Sequence, residues 1–179
     1  MKNTTREIQP VRKIDSDFIA FAIPLIEEGS FLRAKDIRQH GNTTRFSHCV
    51  SVAYYSLKTA ARLKIPCNAR SLVRGGMLHD YYFYDRREKN ISQFKNSFIH
   101  PKAAVFNAVR DYNVSPLEQN IIVRHMFPIT LIPPKYREGL IVCITDKICG
   151  LAETFGISKL PLPDCAELWQ GKTSSTPRE

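Results

Sequence analysis

The chain reads as an all-α protein, a single-domain helical bundle of about six to eight helices. Three observations predict this class. Apolar residues recur at 3.6-residue spacing through most of the 179 residues. No segment shows the alternation of a half-buried strand. Prolines, glycines and capping residues then cut the periodic stretches into lengths ordinary for helices.

The elements follow in order. Asp15 to Glu27 carries Phe18, Ile19, Ala22, Ile23, Leu25 and Ile26, and Pro24 is expected to kink or divide that helix. A short helix is expected over Phe31 to Ile37, followed by a break at Gly41-Asn42 and a cap at Thr43 or Thr44. His40, in this polar turn, is read as a surface residue. From Arg45 to Leu63, Phe46, Cys49, Val50, Ala53, Tyr54, Leu57, Ala60 and Ala61 make one helical face, which Pro66 ends. Asn68 caps a helix running to about Asp80. Tyr81 to Phe98 is aromatic, charged and poorly periodic, which predicts a loop with room for one helical turn. Pro101 suits the first turn of a helix through Ala103, Ala104, Phe106, Ala108 and Val109. Ser115-Pro116-Leu117-Glu118 is a capping box with proline at the first helical position. Pro128, Pro133 and Pro134 force an extended connection, and a last helix spans Tyr136 to Phe155 with Gly156 as its stop. The expected organisation is a helical extension over residues 1–33 packed on the core, a metal-binding domain over 34–156, and a tail over 157–179.

Composition narrows the class. A chain of this length folds as one domain with a sizeable core, and 43% hydrophobic with 24% charged residues is ordinary for a globular protein. No stretch approaches the ~20 apolar residues that span a bilayer. Met1-Lys2-Asn3-Thr4-Thr5-Arg6-Glu7 lacks the apolar core of a secretory signal. Cys49, Cys67, Cys143, Cys149 and Cys165 form no CxxC pair, and three lie in apolar helical patterns, so reduced, packed thiols and a cytoplasmic location are expected. The net charge of +9 is spread along the chain, without a basic block or a nucleic-acid signature. It points to a small anionic substrate rather than to a nucleic acid or a membrane. Homodimerisation stays open.

The chemistry concentrates in His79-Asp80, at the end of the apolar run Leu72-Val73-Arg74-Gly75-Gly76-Met77-Leu78. An imidazole and a carboxylate side by side give two metal-binding heads on one short piece of backbone, and the two oxygens of Asp80 can bridge a pair of ions. His48 precedes this pair, and His100, His125 and Asp146 follow it. Imidazole with carboxylate and no thiolate suits Fe, Mn, Zn or Mg in a catalytic site. Helical bundles build such sites from inward-facing side chains on several helices. Asp146 sits behind Leu140-Ile141-Val142-Cys143-Ile144, where an unpaired carboxylate would be costly. Each histidine taken singly is more often a hydrogen-bonded core or surface residue, and Asp146 could simply pair with Lys147 or an arginine. Six ligand-type residues together favour the metal site.

Arg45-Phe46-Ser47-His48, Gly75-Gly76-Met77-Leu78-His79-Asp80, Ser97-Phe98-Ile99-His100-Pro101, Val123-Arg124-His125 and Ile144-Thr145-Asp146-Lys147, in this order, resemble the HD-domain superfamily of metal-dependent phosphohydrolases. The resemblance covers about residues 34 to 156. It implies a helical core in which His48, His79, Asp80 and Asp146 hold a first ion. The additional histidines are similar to the two-metal members, in which His100 and His125 would hold a second ion and Asp80 would bridge. The family's reactions imply hydrolysis of a phosphomonoester or phosphodiester. A minority of members are di-iron oxygenases, which keeps that reading and a nucleotide- or metal-binding sensor as alternatives. Tyr81-Tyr82-Phe83-Tyr84-Asp85 follows the His-Asp pair where cyclic-dinucleotide members often carry a small residue, glycine and lysine. No Gly-Tyr-Pro motif is present, so cleavage of cyclic di-GMP is not expected.

Phosphate-ester hydrolysis fits the same residues on physical grounds. Two ions about 3.5–4 Å apart can hold a bridging hydroxide as nucleophile and neutralise charge on phosphorus. Fe or Mn is the expected metal, with Mg, Co, Ni or Zn also suited. Asp80 is the expected catalytic centre. Arg45, one turn before His48, is expected to bind a phosphate oxygen, and Lys147 to act as a point charge beside Asp146. Arg86, Arg87 and Lys95 are candidate rim cations, although cations of this kind are more often solvated surface. Asp85 could orient a ligand. Tyr81 to Tyr84 could stack on a base, which would favour a nucleotide, but packing over the pocket is the plainer role.

Overall fold

The computed structural model describes residues 11–28, 30–39 and 43–156. His40, the Gly41-Asn42 break, Cys165 and the tail lie outside the described residues. Six α-helices and one 3-10 segment make up the described fold: α1 (Val11–Glu27), the 3-10 segment Ser30–Asp36, α2 (Arg45–Arg62), α3 (Ala69–Leu78), α4 (Gln93–Tyr112), α5 (Pro116–Arg124) and α6 (Arg137–Thr154). Among the described residues no strand forms, and Arg38 and Thr44 make an isolated antiparallel bridge. The protein is all-α.

The local chemistry explains most boundaries. Thr44 caps α2 by accepting the Ser47 N–H, and Asn68 caps α3 by accepting that of Ser71. α2 ends at Leu63, where Lys64 turns left-handed two residues before Pro66. The capping box of α5 forms in full, with Ser115 Oγ on the Glu118 N–H and the Glu118 carboxylate on the Ser115 N–H.

Two expectations are corrected. Pro24 does not divide α1, which runs unbroken to Glu27: the proline costs the one hydrogen bond to the Ala20 carbonyl, and the buried Ala22, Leu25 and Ile26 on either side of it keep the helix on the core. Pro101 is not in a first turn. α4 starts eight residues earlier at Gln93, capped by Ser92, so His100 lies in mid-helix and the loop after Asp80 ends at Ser92.

α2 and α3 form the centre, with α1 and the 3-10 segment on one side and α5 and α6 on the other. Phe18, Ala22 and Leu25 of α1 share a core with Val50, Tyr54 and Leu57 of α2 and Val73, Met77 and Leu78 of α3. A second cluster joins Val52, Leu72, Ile121, Ile141 and Val142. Cys49, Cys143 and Cys149 are buried free thiols, as packed cysteines should be. Tyr81 is core, stacked on Phe31 and edge-on to Tyr112. No described helix is long and apolar enough to cross a membrane.

The glycine pair of α3 decides how close the central helices come. A Cβ on Gly76 would lie 2.8 Å from Ala53 Cα of α2, and one on Gly75 would lie 2.7 Å from Ile121 Cδ1 of α5. Backbone contact at this range requires glycine. It presses the end of α3, with His79 and Asp80, between the helices that carry His48 and His125.

Candidate metal centre

All six ligand candidates come together. His48 projects from the first turn of α2, and His79 is the C-cap of α3 with Asp80 directly after it. His100 lies midway along α4, His125 is the C-cap of α5 rather than a residue inside it, and Asp146 stands in the middle of α6. The four histidines and Asp80 are buried, and the Asp146 side chain is 15% exposed. The rings form a chain, with centroids 5.3 Å apart for His48–His79, 4.9 Å for His79–His125 and 5.0 Å for His100–His125.

Each ring has its Nδ1 anchored and its Nε2 turned to the centre. Main-chain carbonyls hold three of them: Gly76 O takes the N–H of His79, Asn96 O that of His100 and Ile122 O that of His125, each at 2.7 Å. A carbonyl oxygen only accepts, so each of these Nδ1 atoms carries a proton, and a ring that gives up its second proton, as a metal ligand must, offers a bare Nε2. His79 and His125 cap helix C-termini, where the last carbonyls lack helical partners and are free to take this bond. His48 sits near a helix N-terminus, where the orphan groups are N–H donors. Its Nδ1 is therefore held by a side chain, Glu153 Oε2 of α6, at 2.9 Å.

The Nε2 atoms converge on two carboxylates. Asp146 Oδ1 lies 3.0 Å from His48 Nε2 and 3.6 Å from His79 Nε2. Asp80 turns Oδ1 toward His100 and His125, at 3.1 and 3.6 Å, and Oδ2 toward His79 at 3.7 Å. His48, His79 and Asp146 make one group with metal-ligand spacing, and His79, Asp80 and His125 make another.

Three observations show that these residues fit a cation. His79 Nε2 and Asp80 Oδ1 are buried without a hydrogen bond, a costly arrangement unless something charged sits between them. The Nε2 atoms of His100 and His125 face each other at 2.9 Å while both Nδ1 atoms donate elsewhere, so two lone pairs would oppose each other unless a proton or a cation stands between them. A shared cation held by both nitrogens would relieve that repulsion. The donor set of imidazole and carboxylate is the third.

The acid–base state of the cluster is set by burial and by these contacts. Burial alone would strip the proton from His48, but the hydrogen bonds of Asp146 and Glu153 overcome it and hold the imidazole up at about 10. His79 is likewise raised against its burial, chiefly by the Asp80 charge. Burial, then the neighbouring His79 and His100, pushes His125 down to about 3. Asp80 and Asp146 stay well below the usual carboxylate range because the surrounding histidines outweigh the cost of burial.

The cluster floors a cleft of about 490 Å³. Arg45, Arg86, Arg87 and Lys147 line it, whereas Lys95 stays outside on the exposed first turn of α4. Arg45 is buried, stacks on the Tyr82 ring at 3.5 Å, and donates from Nη1 to Tyr82 O and from Nε to Gln39 Oε1. Gln39 in turn donates to Asp80 Oδ2. Lys147 gives two of its donors to His125 O and Cys143 O. Asp85 accepts the Arg87 N–H within its own turn. Tyr82 lies 5.2 Å from the His100 ring, so it belongs to the cleft wall, unlike Tyr81.

Gln39, Asn96 and Glu153 are site residues that sequence reasoning missed. Glu153 carried a signal: it stands seven residues after Asp146, two turns on along the same face of α6. Glu153→Ala is expected to lower affinity at the His48 position about 10- to 100-fold, the usual effect of losing a carboxylate behind a ligating histidine. Glu153→Gln, which keeps an acceptor oxygen, is expected to retain most of it. Competition titration with a chelating dye measures both, and equal affinities in the two variants would remove Glu153 from the site.

The HD-domain family model matches residues 45–151, a span that begins at Arg45 and takes in all six ligand candidates. Neither the curated proteins nor the solved structures gave a match. The matched span is more than half of the 179 residues, and the chain belongs to the HD-domain family.

Proposed function

We propose that the protein is a metal-dependent phosphohydrolase that cleaves a small phosphomonoester or phosphodiester, a nucleotide or related phosphate. The observation that carries this reading is an arginine with an uncommitted donor in the same cleft as the histidine–carboxylate cluster. His48, His79, Asp80 and Asp146 would hold one divalent ion, and Asp80, His100 and His125 a second. Bound there, the ions would supply the Lewis acidity that makes hydroxide from water near neutral pH and neutralises charge on phosphorus.

The chain's own residues supply the rest. Arg45 has Nε and Nη1 tied down and its plane fixed against Tyr82, while Nη2 makes no hydrogen bond among the described residues. A guanidinium held this way is oriented for a phosphate oxygen before substrate arrives. Gln39 links Arg45 to Asp80, so substrate binding and the carboxylate share one hydrogen-bonded chain. Arg38, Arg86 and Arg87 add positive potential at the rim and raise the local concentration of an anionic substrate. Met126, Ile129 and Leu151 give the opposite wall an apolar surface for the organic part of the ester.

The test is elemental analysis of protein purified without added metal, followed by an anaerobic phosphoesterase screen with Mn, Fe, Mg and Co. Two ions per chain and phosphate release without oxygen uptake are expected. Arg45→Ala is expected to keep its metal and lose about 10- to 100-fold in kcat/KM, the scale of one charged hydrogen bond. Loss of metal in this variant would make Arg45 a structural residue. Turnover that requires dioxygen and releases no phosphate would replace the hydrolase with the di-iron oxygenase.

A further inference from the structure

We propose that the substrate carries a second phosphoryl group besides the one attacked, and that Arg86 and Arg87, with Arg38, bind it at the mouth of the cleft. The proposal rests on the phosphohydrolase reading and names the class of ester within it.

The cleft holds more cations than one phosphoryl group can use. Arg45 is buried at the floor, where the ions would take the remaining oxygens of the group attacked. Arg86 is half-buried and Arg38 and Arg87 are exposed, so these three line the same cleft nearer to solvent. Their guanidiniums make no ion pair or hydrogen bond among the described residues. Elsewhere arginines are bonded, Arg74 to Glu118, Arg110 to Asp111 and Arg137 to Pro66 O. The acid beside the three, Asp85, commits an oxygen to the Arg87 backbone N–H. Like charges gathered in a concavity focus a field that draws in an anion. Nearness in sequence does not put a cation there: Lys89 lies over the Tyr84 ring and does not line the cleft.

The turn that carries Arg86 and Arg87 is closed and anchored. Ile91 N–H donates to Arg86 O at 2.8 Å and Asn90 N–H to Arg87 O at 3.1 Å, with Asn90 left-handed at φ 55°. Directly before it, Tyr84 OH donates to Asn96 Oδ1 at 2.9 Å, and Asn96 O holds the His100 ring. The two arginines are thereby tied to the element that carries a ligand histidine. A surface that only steers anions needs no such tie, whereas a site that grips one molecule at two points does. A phosphoryl dianion suits three guanidiniums better than a carboxylate, which offers two oxygens and one charge. The cleft of about 490 Å³ has room for both groups and a short organic linker.

Phosphonates test this without turnover, because their phosphorus–carbon bond is not an ester. Isothermal titration calorimetry of the metal-loaded chain compares propylphosphonate with propane-1,3-bisphosphonate, one carbon chain with one or two phosphoryl groups. The bisphosphonate is expected to bind about 10- to 100-fold more tightly, the scale of one charged hydrogen bond. Replacing both mouth residues, Arg86→Ala with Arg87→Ala, is expected to erase that advantage and leave propylphosphonate affinity unchanged. Arg45→Ala is expected to weaken both probes alike. The double variant changes no core residue, and its melting temperature and its metal content before and after titration verify fold and site. Equal affinity of wild type for the two probes overturns the proposal, as does an advantage that survives in the double variant. An equal loss of both probes there also overturns it, since that is steering alone. Binding of 3-phosphonopropionate as tight as that of the bisphosphonate overturns the choice of phosphoryl over carboxylate. None of these outcomes depends on hydrolysis. A chain that shows the bisphosphonate advantage but releases no phosphate from any ester would sink the phosphohydrolase reading and leave the two-anion site standing.

Discussion

Asp80→Ala is expected to abolish turnover, by about a thousandfold or more, the scale seen when one member of an interdependent catalytic unit is removed. Among the described residues Asp80 is the only carboxylate that addresses both halves of the cluster, with Oδ1 toward His100 and His125 and Oδ2 toward His79 and Gln39. Its loss removes a ligand from each position and leaves the Nε2 atoms of His100 and His125 opposed at 2.9 Å with no anion beside them. Metal-induced thermal stabilisation provides a readout independent of activity. At a hundredfold excess over Kd, wild type should gain about 2.7 kcal/mol. The variant should gain almost nothing at the same concentration. If it still held two ions and turned over substrate, Asp80 would not be the shared ligand.

Glu118→Ala is expected to lower unfolding free energy by about 3–5 kcal/mol, the range for removing one partner of a buried ion pair. Glu118 closes the α5 capping box on the Ser115 N–H, and its other oxygen takes Arg74 Nε of α3 at 3.0 Å. Both side chains are under 10% exposed, and Arg74 also donates to Tyr112 O at the end of α4. The Glu118–Arg74 pair thus ties three helices. Denaturant titration measures the loss, and metal affinity should fall with it, because α3 and α5 deliver Asp80 and His125. The double variant Arg74→Met with Glu118→Leu is expected to recover much of the stability, since it leaves no buried charge unpaired. A loss under ~1 kcal/mol for Glu118→Ala alone would mean that the pair is solvated in practice.

What the sequence made legible, and what it hid, follows from the range of each signal. Helix starts are short-range chemistry, so Thr44, Asn68 and the Ser115–Glu118 box could be read from a few neighbours. Proline was the misleading signal. Pro101 suits a first turn by propensity, but it sits inside a helix already begun at Ser92, whose first turns show Phe94, Phe98 and Ile99 to solvent and so lack one apolar face. The convergence of six ligands was legible because histidine and carboxylate are informative even when far apart in sequence. Their supports were not. Gln39 lies in an irregular segment with no periodicity to place it, and Asn96 acts on His100 through its carbonyl, which every residue possesses.

That last point sets how the site can change over time. Three of the four anchors that fix the imidazoles are main-chain oxygens, those of Gly76, Asn96 and Ile122. No codon change deletes a carbonyl, so those three tautomers are inherited with the fold and survive any substitution that leaves the helix ends in place. His48 alone depends on an erasable side chain, Glu153. One nucleotide change at that codon can detune a single histidine while the rest of the cluster stands. Drift or selection acting on metal preference within this architecture would find its easiest handle there.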